Sequence, residues 1–229
     1  MNIKVIAFDA DDTLWVNEPF FQETEHKFYS LMEAYLPQHS IAKELFKIEI
    51  DNLDVYGYGI KAYILSMIEA AIKISENTIS VEAISRIIDY GKEMLEKPVE
   101  LLEGIDDALK ALHGRYKLVV ATKGDLKDQH RKLHDSGLGH YFHHIEVMSD
   151  KQKIDYEKML KRLEVEPSEF LMIGNSLKSD VLPVLEIGGH ACHIPFHTTW
   201  LHEQIDHTIE HENFKEAENI SKLLPLLLS

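Results

Sequence analysis

Acidic residues cluster in one short segment near the beginning of the sequence. Asp9, Asp11 and Asp12 fall within four positions, directly after an apolar run. Carboxylates this close raise one another's pKa unless a positive charge lies between them. A divalent cation would relieve the repulsion, and Mg²⁺ typically takes one or two carboxylates together with a substrate phosphate. Asp is also a frequent helix-capping residue, so the segment taken alone equally suits the start of a helix.

Short apolar runs indicate how these carboxylates are positioned. Five runs have the length and composition of buried parallel strands, and they cover residues 4–8, 118–122, 144–148, 170–173 and 190–194. Segments with helical period lie between them. This alternation predicts an α/β fold, a doubly wound (Rossmann-like) parallel sheet. Ligands bind beside the carboxyl ends of the strands in such sheets, and Asp9 directly follows the first run.

One long interval breaks the alternation. Residues 17–98 show helical periodicity without a convincing strand, and about 80 residues far exceeds the dozen or so that a crossover needs. We expect an inserted all-α cap domain over 17–98 and a core domain made of 1–16 and 99–229. The periodicity predicts helices through 21–36, 60–72 and 84–95.

Four short motifs, taken in order, resemble those of the haloacid dehalogenase superfamily of phosphohydrolases. Each lies at the end of a predicted strand. They are Asp9-x-Asp11-x-Thr13, then Thr122 with Lys123 and Gly124, then Lys151 after Ser149-Asp150, and finally Gly174-Asn175 with Asp180 five residues on. The insertion between the first and second motifs resembles the helical-cap subgroup of that superfamily.

The resemblance implies a role for each motif. It makes Asp9 the nucleophile that takes the phosphoryl group, which divides one difficult displacement into two easier ones. Asp11 would protonate the leaving oxygen and later deprotonate the attacking water. Thr122 would hold phosphate oxygens, and Lys151 would neutralise their charge and orient the nucleophile.

The resemblance also implies a cofactor, Mg²⁺, which would clamp the phosphoryl group during in-line transfer. Its ligands would come from Asp9, Asp11 (through the backbone carbonyl), Asn175 and Asp180. Substrate contacts would come from Thr122, Lys123, Gly124 and Lys151.

The sequence departs from the family pattern in three places. Asn175 stands where an aspartate ligand is usual, so either this amide or Asp180 is the direct ligand. Lys151 is followed by Gln152 where Lys-Pro is common, which makes Lys153 a rival for the active-site lysine, although Lys151 lies nearer the strand end. Asp12 occupies a position that is often glycine, and its charge is expected to offset part of the charge missing at Asn175.

These motifs favour a Mg²⁺-dependent phosphatase that acts on a small phosphorylated metabolite. A sugar-phosphate mutase of the same superfamily would keep both Asp9 and Asp11. A haloacid dehalogenase needs neither a metal nor the second aspartate, so Asp11 argues against that activity. A phosphonate hydrolase would need a Schiff-base lysine in the cap, and none stands out. A catalytically quiet phosphate- or metal-binding module is the alternative that Asn175 suggests.

Composition limits the partners and the compartment. The chain has 24 Lys and Arg against 39 Asp and Glu, a net charge of −15, which argues against nucleic-acid binding. The terminal apolar stretch 223–228 is far shorter than the about 20 residues that span a membrane. The first residues do not resemble a secretory signal, and a lone Cys192 is typical of reducing compartments. We expect a cytosolic protein whose partner is a small phosphate ester; the sequence leaves the oligomeric state open.

Overall fold

A six-stranded parallel sheet forms the core of the computed structural model, which describes residues 2–228. The strands are β1 (Val5–Phe8), β2 (Lys117–Lys123), β3 (His144–Met148), β4 (Phe170–Gly174), β5 (His190–His193) and β6 (Phe214–Glu216). Their order across the sheet is β3-β2-β1-β4-β5-β6, so the order changes direction between β1 and β4. An open α/β sheet has its ligand crevice at such a point.

Helices cover both faces of this sheet because side chains alternate along each strand. In chain order, the α-helices of the molecule are α1 (Glu18–Met32), α2 (Gln38–Tyr56), α3 (Ile60–Ile74), α4 (Val81–Glu96), α5 (Ile105–Leu112), α6 (Leu126–Asp135), α7 (Lys153–Leu163), α8 (Leu182–Glu186) and α9 (Ile220–Leu228). Of these, α5 to α9 belong to the unit that contains the sheet. Ile6 and Phe8 share one apolar layer with α5 and α9. Val5 and Ala7 share the opposite layer with α7 and α8. The central strand is therefore buried on both faces, as a parallel sheet requires.

The helical insert is a compact unit of its own. It comprises Pro19–Pro98, and the sheet with its flanking helices forms the other unit. Apolar side chains from all four helices of the insert meet in one core, for example Phe28, Leu45, Met67 and Ile87.

The predicted fold class is confirmed: a doubly wound parallel sheet carries an inserted all-helical segment. Strand β6 was not predicted, because its three residues, Phe-Lys-Glu, lie at the sheet edge and form no apolar run. Helix α2 was also missed, and Leu36, predicted to extend the first helix, lies beyond the end of α1. Among the described residues, no helix combines the length and apolarity needed to cross a membrane.

Candidate active site

Asp9 lies at the carboxyl end of β1, in the middle of the sheet. Its amide donates a 2.9 Å hydrogen bond to the Ile173 carbonyl of β4, which extends the pairing one residue beyond the strand. Its side chain is buried, and Oδ1 forms an ion pair with the Lys151 ammonium. The first motif thus presents a buried carboxylate where the strand order changes direction.

Lys151 joins two carboxylates. Its side chain is 2% exposed, and Nζ lies 2.6 Å from Asp180 Oδ1 as well as contacting Asp9. Burial alone would lower the pKa of this ammonium, but the negative charges of Asp180 and Asp9 outweigh burial and raise the pKa of Lys151. The rival Lys153 begins α7 with a side chain that is 52% exposed. The geometry favours Lys151 as the lysine of this site.

Asp180 reaches Lys151 through a close approach to the end of β4. Its Oδ1 accepts a hydrogen bond from Lys151, and its Oδ2 accepts one of 3.0 Å from the Ser176 amide. A Cβ atom on Gly174 would stand 2.1 Å from Asp180 Oδ2, far inside van der Waals contact. The fourth motif therefore needs glycine at position 174 so that the Asp180 carboxylate can lie beside the strand.

Three oxygen-bearing groups converge at the end of β1: the Asp9 carboxylate, the Asp11 main-chain carbonyl and the Asn175 amide. One end of the Asn175 amide lies 3.2 Å from Asp9 Oδ2 and 3.3 Å from the Asp11 main-chain oxygen. With Nδ2 turned inward the amide donates to both acceptors, and with Oδ1 turned inward it completes a set of three oxygens. Neighbouring ligands around Mg²⁺, at bonds of about 2.1 Å, stand about 3 Å apart in an octahedron.

The oxygen set fits a Mg²⁺ ion and favours Asn175 over Asp180 as the ligand from the fourth motif. Both Asp180 oxygens are already held by the Lys151 ammonium at 2.6 Å and the Ser176 amide at 3.0 Å. Asp9 Oδ2 and the Asn175 amide share only longer contacts, 3.3 and 3.2 Å, with the Thr13 hydroxyl. Within the described part of the chain, no three His, Cys, Asp or Glu side chains form a metal-binding group. A cation at this position would therefore depend on the amide and on the main-chain oxygen of Asp11 as well as on Asp9.

The two carboxylates of the first motif have opposite electrostatic environments. Burial raises the pKa of Asp9 to about 7, even though the Lys151 ammonium opposes the shift. Burial acts on Asp11 too, but the charge of Lys132 and three hydrogen bonds outweigh it, and the pKa of Asp11 lies below its ordinary value. A cation beside Asp9 would favour the ionised form of this carboxylate.

Asp12 serves the backbone at the start of α1. Its φ of 61° is left-handed, a conformation that glycine adopts more easily. Its carboxylate accepts hydrogen bonds from the amides of Asn17 at 2.8 Å and Glu18 at 3.0 Å, so the capping interpretation of the acidic cluster holds for this residue. The expectation that Asp12 offsets the uncharged Asn175 is not supported by these contacts.

The second motif lies on the neighbouring strand, at the same edge of the sheet. Thr122 is buried, and its hydroxyl donates a 3.2 Å hydrogen bond to the Lys123 carbonyl. Lys123 Nζ lies 2.6 Å from Glu203 Oε1, so this predicted substrate contact is paired with a carboxylate. Gly124 has a φ of 122°, and a Cβ there would stand 3.0 Å from Gln129 Nε2. Only glycine suits both conditions.

Comparison with known sequences decides the family. The sequence model of haloacid dehalogenase-like hydrolases matches residues 3–188. This chain belongs to the haloacid dehalogenase-like hydrolases. A haloacid dehalogenase-like family hydrolase from Xanthomonas campestris is 35% identical, with a TM-score of 0.89 over 99% of this chain and 91% of that chain.

Two more distant members illustrate the range of these hydrolases. The 5-amino-6-(5-phospho-D-ribitylamino)uracil phosphatase YigB of Escherichia coli is 24% identical over 214 residues, which cover 84% of this chain and 83% of YigB. The putative hydrolase YfnB of Bacillus subtilis, solved with bound magnesium, is 20% identical and has a TM-score of 0.68 over 99% of both chains. The second comparison shows a shared fold.

Three side chains at this haloacid dehalogenase-like site were missed from the sequence: Gln129, Lys132 and Glu203. The sequence of α6 carried a signal for the first two, because Leu126 and Leu133 are its only apolar residues, too few for the apolar stripe of a helix packed on a sheet. Glu203 carried none. It lies in a single 3₁₀ turn, Leu201–Glu203, after β5 and far along the chain from its partner Lys123.

Glu203 connects the second motif with the fourth. Its carboxylate accepts hydrogen bonds from Lys123 at 2.6 Å, from Ser179 at 2.5 Å and from Ser176. Burial would raise its pKa, but Lys123 and these hydrogen bonds lower the pKa of Glu203 to about 2. This carboxylate therefore stays ionised and holds the two loops together.

Proposed function

We propose that this haloacid dehalogenase-like hydrolase is a Mg²⁺-dependent phosphatase that cleaves small phosphate monoesters through an aspartyl-phosphate at Asp9. One observation carries the proposal: the buried Asp9 carboxylate contacts Lys151 through one oxygen and the Asp11–Asn175 oxygen set through the other. Phosphoryl transfer depends mainly on positioning and on stabilisation of negative charge. The site meets that requirement, because the proposed nucleophile Asp9 contacts both the Lys151 ammonium and the proposed cation position.

The residues act in two steps. Asp9 attacks phosphorus, the bond to the leaving oxygen breaks, and Asp11 gives that oxygen a proton. Because Lys132 and the hydrogen bonds lower the pKa of Asp11 in the free protein, this role requires that the negative charge of the bound ester first promote its protonation. Water then attacks the aspartyl-phosphate, Asp11 takes the proton, and Asp9 is regenerated with release of phosphate. Lys151 and Thr122 stabilise the phosphoryl oxygens in both steps. Asp9, Asn175 and the Asp11 carbonyl would hold Mg²⁺, which would supply additional positive charge at the phosphoryl group.

The proposed substrates are phosphate esters of small alcohols. The name of YigB describes a phosphate on a ribityl chain attached to a pyrimidine. Sugar and polyol phosphates are therefore the first esters to test. An alcohol is a poor leaving group without a proton, which is a reason for Asp11 to stand beside the nucleophile.

The test measures phosphate release from 4-nitrophenyl phosphate and from a panel of sugar and polyol phosphates, with Mg²⁺ or with EDTA. We expect Asp9→Asn to lose about 10⁴-fold or more, because it removes the nucleophile. Asp135→Asn changes an exposed carboxylate of α6 and should match the wild type. Activity that survives Asp9→Asn would contradict the proposal.

The same assay distinguishes the alternatives. Transfer of phosphate to a second sugar phosphate in place of water would identify a mutase. Release of halide from a 2-chloro acid would identify a dehalogenase, an activity found in proteins with this fold. Binding of Mg²⁺ and phosphate without turnover of any ester would identify a binding module.

A further inference from the structure

Three donors hold the Asp11 carboxylate. Oδ1 accepts hydrogen bonds from Trp15 Nε1 at 2.7 Å and from Lys132 Nζ at 2.9 Å, and Oδ2 accepts one from Gln129 Nε2 at 2.8 Å. Gln129 and Lys132 stand three residues apart on α6, so they project from one face of that helix. Directional contacts to both oxygens fix the position and the rotation of the carboxylate.

The two α6 side chains are themselves fixed. The Lys132 side chain is 9% exposed, and its Nζ also donates to Asn17 Oδ1 at 2.9 Å. Gln129 is 2% exposed, and its amide nitrogen also donates to the Lys123 carbonyl at 3.1 Å. Burial of such polar groups is unfavourable unless their contacts compensate it. A helix beside a sheet ordinarily turns apolar residues inward, so the polar inner face of α6 points to a role in the site.

The hydrogen bonds leave one acceptor position on Asp11. A carboxylate has about four such positions, two on each oxygen. Trp15 and Lys132 take both positions on Oδ1, and Gln129 takes one of the two on Oδ2. The Asp11 side chain is still 23% exposed, so the remaining position on Oδ2 is available to a substrate oxygen or to water.

We propose that Gln129 and Lys132 are positioning residues that aim Asp11, so that Oδ2 alone exchanges the proton with the leaving oxygen and then with water. This inference rests on the proposed function, because that function assigns Asp11 its acid–base role. Without either residue Asp11 is still present but rotates more freely. Fewer bound substrates then have the carboxylate within reach, and the chemical step slows.

The test uses the different needs of two leaving groups. An alkoxide requires a proton as it leaves, whereas 4-nitrophenolate leaves with little help. We expect Gln129→Leu and Lys132→Met each to lower kcat/KM about 10²-fold on an alkyl phosphate, and less than about threefold on 4-nitrophenyl phosphate. The ratio kcat/KM reports phosphoryl transfer to Asp9 and is independent of the later hydrolysis step. A general structural disturbance would lower both values alike.

A double-mutant cycle and a matched control complete the experiment. In the Asp11→Asn background, Lys132→Met should have no further effect, because the group that it positions is gone. Lys127→Met removes an exposed ammonium from the same helix and should match the wild type on both esters. Equal losses on both esters, or additive losses in the Asp11→Asn background, would overturn the positioning role.

Failure of this inference is distinguishable from failure of the proposed function. A wild-type protein that hydrolyses no phosphate ester overturns both. An active, Asp9-dependent wild type whose Gln129→Leu and Lys132→Met variants behave like Lys127→Met overturns the positioning role alone. If Lys132→Met does not unfold cooperatively, Gln129→Leu carries the same comparison, because it removes the contact to Oδ2 without removing a charge.

Discussion

The core unit and the helical unit bury different kinds of side chain. In the described part of the core unit, buried charged groups such as Asp9, Lys151 and Asp180 lie in contact at the sheet edge. The described residues 19–98 bury mainly apolar side chains, with Glu49 as their one buried carboxylate. The difference indicates that the chemistry belongs to the sheet edge, whereas apolar packing alone explains most of the stability of the insert.

Gly174 in the core unit and Gly91 in the helical unit illustrate this difference between the buried side chains. A Cβ on Gly174 would stand 2.1 Å from Asp180 Oδ2, and a Cβ on Gly91 of α4 would stand 2.6 Å from Ile64 Cγ1 of α3. The overlap at Gly91 displaces an uncharged apolar side chain. Asp180 cannot move without losing Lys151, so the same overlap has different consequences in the two units.

Among substitutions that compare the two units, removal of Lys151 should lower both stability and activity most, and a small effect would contradict the difference between the units. Lys151→Met leaves the buried carboxylates of Asp9 and Asp180 without a counter-charge, which costs about 3–5 kcal/mol of unfolding free energy. We expect activity to fall by about 10³-fold or more, since charge stabilisation at the phosphoryl group is lost. Lys153→Met, on an exposed side chain, should stay within about 0.5 kcal/mol. Urea unfolding and phosphate release compare the two variants, and equal effects would reject Lys151.

Alanine substitutions at Gly174 and Gly91 compare the two units directly. Gly174→Ala should cost about 1–3 kcal/mol and reduce activity strongly, because it displaces Asp180. Gly91→Ala should cost a similar amount, because the buried, β-branched Ile64 must shift, and should leave kcat unchanged because no charged group is displaced. Thermal unfolding and steady-state kinetics measure both. A kcat loss in Gly91→Ala as large as that in Gly174→Ala would contradict the division of roles.

The pH dependence of Mg²⁺ binding should report the ionisation of Asp9 at the sheet edge. Asp9 must be ionised to bind the cation, and its pKa is raised to about 7. It is therefore mainly protonated below pH 7, so the apparent affinity should fall about tenfold per pH unit below that value and level off above it. Calorimetric titration between about pH 5.5 and 8.5 measures the slope. Asp9→Asn should remove the slope, and an affinity that rises on acidification would contradict the assignment.

A smaller effect on Mg²⁺ affinity is expected from a substitution at Asn175. Asn175→Asp adds a negative charge to the oxygen set and should tighten Mg²⁺ binding by up to about tenfold at pH 8, through the stronger attraction at short range. The matched change Asn213→Asp lies outside the site and should leave the affinity unchanged. Calorimetric titration of the two variants with Mg²⁺ measures both affinities. Unchanged binding by Asn175→Asp would remove this residue from the ligand set.

The parts of the molecule that the sequence predicts are those that have a local pattern of residue types. Apolar runs indicated five of the strands, and the positions of the motif residues at strand ends indicated the edge of the sheet that holds the candidate site. Helix α2 was missed even though Ile41, Leu45 and Ile48 repeat with helical spacing, so that signal was present and overlooked. Strand β6 and Glu203 had no local signal, because a three-residue edge strand and a three-residue 3₁₀ turn are too short to show a periodic pattern.

The sequence by itself determined the fold class, the family and the four motifs, because periodicity and residue order are properties of neighbouring positions. Only the tertiary structure decided that Lys151 rather than Lys153 is buried between carboxylates, that Asn175 faces Asp9, and that Lys132 reaches Asp11. Asp11 and Lys132 are 121 residues apart, and their contact exists only because parallel strands bring the segments that follow them to one edge of the sheet.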